Sequence, residues 1–134
     1  MKPIVLAMII ADHYYRDSNT GKSIITGTFN SINCSDFPTK HGNCAIYISL
    51  TDIATSGAVK LIFRKVDGDF TMNLPEWEVE APSERHSIVE IGGNIAGLPF
   101  PDEGIYEFIV MWNNEEICSR RLIAHKVVIN RGEE

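Results

Sequence analysis

The chain has 134 residues, of which 44% are hydrophobic and 22% charged, and its formal net charge is −6. The length fits one folded domain, and the composition excludes disordered, collagen-like and coiled-coil classes. The negative charge argues against a nucleic-acid partner, because such a partner requires clustered Lys and Arg. The cation pairs Arg64-Lys65 and Arg120-Arg121 are expected on solvated sheet faces. We therefore expect a single domain over residues 1–134 and no nucleic-acid partner.

The first element is an apolar run over residues 3–12, which predicts a strand buried on both faces. The run is too short for a membrane helix, which needs about 20 apolar residues, and no convincing signal-peptide cleavage site follows it. The three cysteines, Cys34, Cys44 and Cys118, match no disulfide framework, as is typical of a reducing compartment. We expect a cytoplasmic protein without a membrane partner.

The next elements are a hairpin and a long polar loop. Residues 16–21 contain Asn and Gly, which suit a tight reversal, and residues 22–33 predict a return strand rich in Ile, Thr and Phe. Phe37-Pro38 and His41-Gly42-Asn43 indicate a loop. Residues 44–54 then alternate with period two, which is typical of a strand.

The middle of the chain predicts two more strands and an acidic edge. Residues 58–66 alternate apolar and polar side chains, and Asp67-Gly68 is a strong hairpin signal before a strand at about residues 69–74. Residues 76–80 alternate acidic and apolar side chains, which would place three carboxylates on one sheet face and Trp77 with Val79 on the other. Such an acidic segment favours an edge strand.

The last third predicts an interrupted strand, a loop and a final hairpin. Residues 86–95 form a run in which Gly92-Gly93 indicates a bulge or sharp bend, and residues 97–104 predict a proline-rich loop. Two strands, residues 104–112 and 116–129, flank Asn113-Asn114, a pair suited to a type I′ turn. The whole pattern predicts an all-β fold: an antiparallel, two-sheet, immunoglobulin-like β-sandwich of about eight strands.

Two groups of segments carry a resemblance to a known family. They are Ala11 to Tyr15, Gly21-Lys22, Gly27 to Asn30 and Phe37-Pro38 in the first group, and Phe100 to Phe108 in the second. The chain resembles an uncharacterised family of small bacterial β-sandwich proteins, a domain of unknown function. The resemblance implies the fold and transfers no activity, cofactor or site residue.

Residues 16–23 approach the phosphate-binding loop pattern but have Arg16 where Gly is required. A strand, and no helix, is predicted after Ser23, so the amides and helix terminus that hold phosphate would be missing. We therefore expect no nucleotide cofactor.

A metal site is conceivable at Cys34, His41 and Cys44, because thiolate and imidazole are good zinc ligands. A fourth ligand is missing and no Cys-x-x-Cys pair exists, so the alternative is that the cysteines are small apolar side chains in or near the core. We expect no metal.

Catalytic combinations can be drawn from scattered nucleophiles, histidines and acids, but nothing in the sequence positions them, and the Gly-x-Ser-x-Gly elbow is absent. We expect no catalytic residue. The side chains that would enter such combinations are Cys44, Ser23, His13, His86, Asp12 and Asp102.

Three apolar side chains are candidate contact residues. Leu98 and Phe100 lie in the predicted loop and Trp77 lies beside the acidic row, positions where aromatic residues often mark interfaces. The alternative for Leu98 and Phe100 is that they close one end of the sandwich. Uncovered sheet edges offer a second route, by which a homodimer or a partner strand would pair.

The sequence contains no motif that specifies a reaction. The expected function is a non-catalytic protein-interaction module whose partner is a second copy of the chain or another protein. One alternative is an enzyme or a small-ligand or metal-binding domain with its site in the loops near Phe37, His41 and Phe100. A secreted adhesin-like domain is a third alternative.

Overall fold

A computed structural model describes residues 2–128, which form ten strands and contain no helix, and hence none that could cross a membrane. In chain order the strands are β1 Ile4–Arg16, β2 Ser23–Thr28, β3 Ser31–Cys34, β4 Thr39–Thr51, β5 Gly57–Lys65, β6 Thr71–Asn73, β7 Trp77–Val79, β8 Val89–Phe100, β9 Gly104–Trp112 and β10 Glu115–Lys126.

The strands form two sheets that pack face to face as a sandwich. One sheet has four strands in the order β2-β1-β4-β8; the other has six, in the order β3-β10-β9-β5-β6 with β7 also pairing with β5. One hydrophobic cluster fills the space between them. The predicted strands are confirmed: Ile46, Ile48 and Leu50 of β4 belong to this cluster whereas Ala45 does not, and Tyr106 and Phe108 of β9 belong to it too.

The prediction of an all-antiparallel sandwich of about eight strands is wrong in strand number and in one pairing. Residues 22–33 do not form one strand, because Gly27 has a φ of +70° and the chain then crosses between sheets. The Phe29 amide donates to the Ile10 carbonyl in the first sheet, and the Asn30 carbonyl accepts from Ile123 in the second. Having changed sheets, β3 runs parallel to β10.

Two predicted loops are strand. The N-terminal part of β4, including His41 and Asn43, pairs with the C-terminal part of β8, where Lys40 lies opposite Pro99. The prediction of a loop over residues 97–104 is therefore wrong for residues 97–100. Proline is tolerated there because β8 is an edge strand. The predicted turn at Asn113-Asn114 is confirmed, with φ values of +47° and +71°; residue 129 of the predicted last strand lies outside the described residues.

Candidate binding groove beside Trp77

The edge of β8 that faces away from β4 has no partner strand within residues 2–128. The Ile10 carbonyl accepts from Phe29, so it points away from β4. Ile10 lies opposite Ile46, whose backbone groups therefore point toward β8 and pair with Gly93. The backbone groups of successive residues point to opposite edges of a strand. Since those of Gly93 point toward β4, the free edge presents the N–H and C=O groups of Glu90, Gly92 and Asn94.

Two aromatic rings pack against the two faces of β8 at its adjacent glycines. The ring of Tyr14 lies over Gly92, and a β-carbon there would overlap it. On the core side, a β-carbon at Gly93 would stand 3.1 Å from Cζ2 of Trp77. The predicted bulge is wrong, because both glycines pair with β4 in unbroken register. The residues are small because rings occupy the space of their side chains.

The ring of Trp77 separates two clefts that lie along β8. The first, of about 320 Å³, is lined by Val89 to Gly92 of β8, Trp77 to Glu80, and the side chains of Tyr14 and Arg16. The second, of about 200 Å³, is lined by Gly93 to Ile95, Trp77, and an apolar group of Leu61, Leu74 and Pro75. We call the two clefts and the free edge between them the Trp77 groove.

One wall of the groove is the end of the β1–β2 hairpin around Tyr14. Although β1 and β2 belong to the four-stranded sheet, this end of the hairpin lies over the outer face of the same sheet at β8. The Tyr14 amide donates to Oδ1 of Asn94 at 3.0 Å, and Nδ2 of Asn94 donates to the Tyr14 carbonyl at 2.9 Å. The Tyr14 hydroxyl lies 3.0 Å from Oγ of Ser23. These bonds hold β1 beside β8 without a strand ladder, because a side-chain amide replaces the backbone partner.

Arg16 lies at the end of this wall and partly covers the free edge. Its guanidinium donates to the Gly21 carbonyl at 3.1 Å, to the Tyr14 hydroxyl at 3.3 Å and to the Glu90 carbonyl at 3.5 Å. The last bond occupies one acceptor of the edge. At 3.5 Å this hydrogen bond is weak, so a partner strand that displaced the guanidinium from the Glu90 carbonyl would lose little binding free energy.

The groove carries more negative than positive charge. Glu78 and Glu80 are exposed and Glu90 is half-buried, whereas Arg16 is the cation of the first cleft. The predicted division of residues 76–80 is confirmed, because the acids are exposed while Val79 is buried and Trp77 half-buried. Burial, and then the adjoining Glu90 carboxylate, raise the pKa of Tyr47, whose hydroxyl donates to Glu90.

The opposite side of the sandwich is closed by Arg120. Its guanidinium donates to the Met8 carbonyl at 3.0 Å and to Oδ1 of Asn30 at 2.8 Å, thereby joining β10 to β1. The expectation that both Arg120 and Arg121 lie on a solvated face is wrong for Arg120, which is half-buried between the sheets. A charge directed into an edge discourages strand addition; at the β8 edge the corresponding contact, from Arg16 to the Glu90 carbonyl, is longer at 3.5 Å.

The predicted contact residues are divided by the structure. Leu98 and Phe100 are each 1% exposed and belong to the core, so the alternative that they close the sandwich describes their position. Both side chains point into the core, so they are not available as contact residues. Trp77 lies in the groove, as described above.

The candidate metal and catalytic residues do not come together. Among the described residues no three His, Cys, Asp or Glu side chains form a group that could hold a metal ion, so Cys34, His41 and Cys44 remain separate. Cys44 is buried, which raises the pKa of its thiol to about 12, and the His41 ring packs on Phe29 at 5.3 Å.

Three of the other catalytic candidates have structural partners. Ser23 bonds Tyr14, Asp102 forms an ion pair with Lys65 at 2.7 Å, and the ring of His13 stacks on Tyr15 at 5.7 Å. Residues 16–23 form the β1–β2 turn, with no helix to present amides to a phosphate.

Sequence reasoning identified Trp77 but missed Tyr14, Arg16 and the β8 edge. The available signal was Gly92-Gly93, from which the sequence analysis predicted a bulge or a sharp bend. Paired glycines also mark the close approach of another group to a strand, and that alternative would have pointed to aromatic partners.

The fold defines a class of all-β, two-sheet proteins, and in this chain the groove lies along β8, one of the strands at the end of a sheet. Residues 6–125 match the family of unknown function DUF6941. The chain belongs to this family, which confirms the resemblance to an uncharacterised family of β proteins. No curated protein sequence matches the chain.

Solved structures with a similar fold include a β-glucosidase from Listeria innocua in complex with isofagomine. Its TM-score is 0.51 at 8% identity, over 75% of this chain and 15% of the enzyme chain. A variant of that enzyme in complex with laminaribiose gives a TM-score of 0.51 at 9% identity, over 90% of this chain and 22% of that chain. This chain thus spans less than a quarter of these enzymes, and at such identity the likeness concerns the fold alone.

Proposed function

We propose that the protein is a non-catalytic interaction module that binds an extended segment of another protein along the free edge of β8. The observation that carries this proposal is the row of backbone groups at Glu90, Gly92 and Asn94 that has no partner strand within residues 2–128, with a cleft on each side of Trp77. In strand addition, backbone hydrogen bonds supply affinity and clefts for alternate side chains supply specificity. The groove offers both.

We also propose that the sandwich is immunoglobulin-like and that the protein is cytoplasmic. The Tyr106 hydroxyl donates to the Asp102 carbonyl at 2.6 Å and accepts from the Asp102 amide at 3.3 Å. This resembles the tyrosine corner of immunoglobulin-like domains. All three cysteines are free, which favours a reducing compartment.

A second copy of the chain is a less suitable partner for this edge. Antiparallel pairing of two β8 edges about a two-fold axis would bring Glu78, Glu80 and Glu90 of both copies to one seam. Like charges at such a seam oppose association. We therefore favour a different protein over a homodimer.

A second candidate function, small-ligand binding near Phe37, His41 and Phe100, is favoured by one observation. A cleft of about 360 Å³ lies where β4 begins and β8 ends. It is lined by Pro38, Thr39, Lys40, Pro99, Phe100 and Pro101. This lining is mostly apolar with Lys40 as its charged group, so it suits an apolar ligand better than a reaction.

Amide hydrogen exchange with peptide probes tests the two candidates. Short peptides selected on this protein from a random display library would be added to isotopically labelled protein and followed by NMR. Strand addition predicts that the Gly92 amide, which should exchange rapidly in the free protein because no strand pairs with it, becomes protected. The Gly93 amide, already bonded to β4, should change little and serves as the internal control. Peptides that protect no edge amide and instead shift the amide signals of Thr39 and Lys40 would contradict strand addition and favour the ligand cleft.

A further inference from the structure

The two clefts of the Trp77 groove differ in chemistry. The second cleft is bounded by Leu61 and Leu74, which are 0% and 8% exposed, together with Pro75 and Ile95. It offers an apolar side chain a surface that is already largely dehydrated. The first cleft is bounded by Glu78, Glu80 and Glu90 and contains a single guanidinium.

The clefts also have a defined spacing along the strand. Val89 to Gly92 border the first cleft and Gly93 to Ile95 the second, so their midpoints lie between three and four residues apart. At the rise of a β-strand this is about 12 Å. Side chains on one face of an added strand recur every two residues, so positions four residues apart would reach both clefts.

We infer that the segment recognised at this edge carries an apolar side chain and a Lys or Arg four residues apart on the same face. The apolar side chain occupies the cleft of Leu61, Leu74 and Ile95, and the cation lies beside the carboxylates of Glu78 and Glu80. This inference rests on the proposed strand addition and names the chemistry of its partner. The surplus of negative charge in the groove favours a Lys or Arg in the partner segment, and the apolar lining of the second cleft favours the apolar side chain.

The experiment uses synthetic extended peptides rich in Thr and Val, with one Leu and one Lys four positions apart in either order. Control peptides have Lys replaced by Glu, or have Lys moved by one position so that it points to the opposite face. The peptide whose order of Leu and Lys places Leu in the apolar cleft and Lys at the acidic cleft should bind. The peptide with Glu in place of Lys should bind about tenfold more weakly, because electrostatic repulsion replaces attraction. Moving Lys by one position should cause a comparable loss.

A charge reversal on the protein supplies the reciprocal test. Glu80→Lys should weaken the Lys peptide and strengthen the Glu peptide, whereas Glu116→Lys, an exposed acid on β10, should leave both affinities unchanged. If the peptides all protect the Gly92 amide but bind equally well, the inferred chemistry is wrong and strand addition stands. If none of them protects that amide, both the inference and the proposed function fail.

Discussion

The ring of Tyr14 lies against the backbone of Gly92, in the space that any larger residue would require for its β-carbon. This contact fixes the β1–β2 hairpin over the outer face of the four-stranded sheet and so builds one wall of the Trp77 groove. Tyr14 is 8% exposed although it projects from the outside of that sheet. The hairpin and the sheet are therefore one packed unit.

Gly92→Ala should destabilise the protein by about 1 to 3 kcal/mol, because the added methyl group forces the buried Tyr14 ring to move. The matched control is Gly42→Ala, whose β-carbon would meet nothing within 4 Å; it should be nearly neutral. Urea denaturation measures both. In a Tyr14→Ala background Gly92→Ala should cost much less, since the overlap is gone; an unchanged cost there would contradict the packing argument.

Asn114→Gly should preserve or raise stability, because glycine adopts the observed φ of +71° without a β-carbon penalty. The neighbouring Asn113→Gly should instead cost about 1 kcal/mol, since Oδ1 of Asn113 accepts a hydrogen bond from the Ala58 amide at 2.9 Å. Thermal unfolding of the two variants makes the comparison. Equal effects at the two positions would show that their side chains do not have these distinct roles.

Tyr106→Phe should lower the free energy of unfolding by about 1 to 3 kcal/mol, because the buried ring keeps its packing while the Asp102 backbone loses its hydroxyl partner. Tyr15→Phe removes a hydroxyl from a side chain that is half exposed, and it should change stability by less than about 0.5 kcal/mol. Chemical denaturation distinguishes them. A negligible cost at Tyr106 would remove the support for a tyrosine corner.

Burial of Cys44 should make the protein less stable in alkali. Its folded pKa of about 12 lies above the value of about 8.5 for an unfolded thiol. As pH rises the unfolded chain loses this proton first, so the stabilising contribution is complete below about pH 8.5 and is lost progressively toward pH 12. Cys44→Ala should reduce the fall in unfolding free energy between these values, despite a lower starting stability. An identical slope would mean that the thiol is not protected from solvent.

Sequence alone determined the features that depend on near neighbours in the chain. The alternation around Ile46 and Ile48, the acidic and apolar faces of residues 76–80 and the turn at Asn113-Asn114 were all predicted correctly. Each follows from the backbone geometry of a few consecutive residues, because a strand places successive side chains on opposite faces and a tight turn demands particular φ angles.

The tertiary structure decided everything that depends on which strands become neighbours. The change of sheet after Gly27, the ring contacts at Gly92-Gly93, the burial of Leu98 and Phe100 and the closure by Arg120 all join residues far apart in sequence. Register sets these contacts, and a short run such as residues 97–100 reads equally well as loop or edge strand until its partner is known. The groove beside Trp77 exists for the same reason: β8 lies at the end of its sheet.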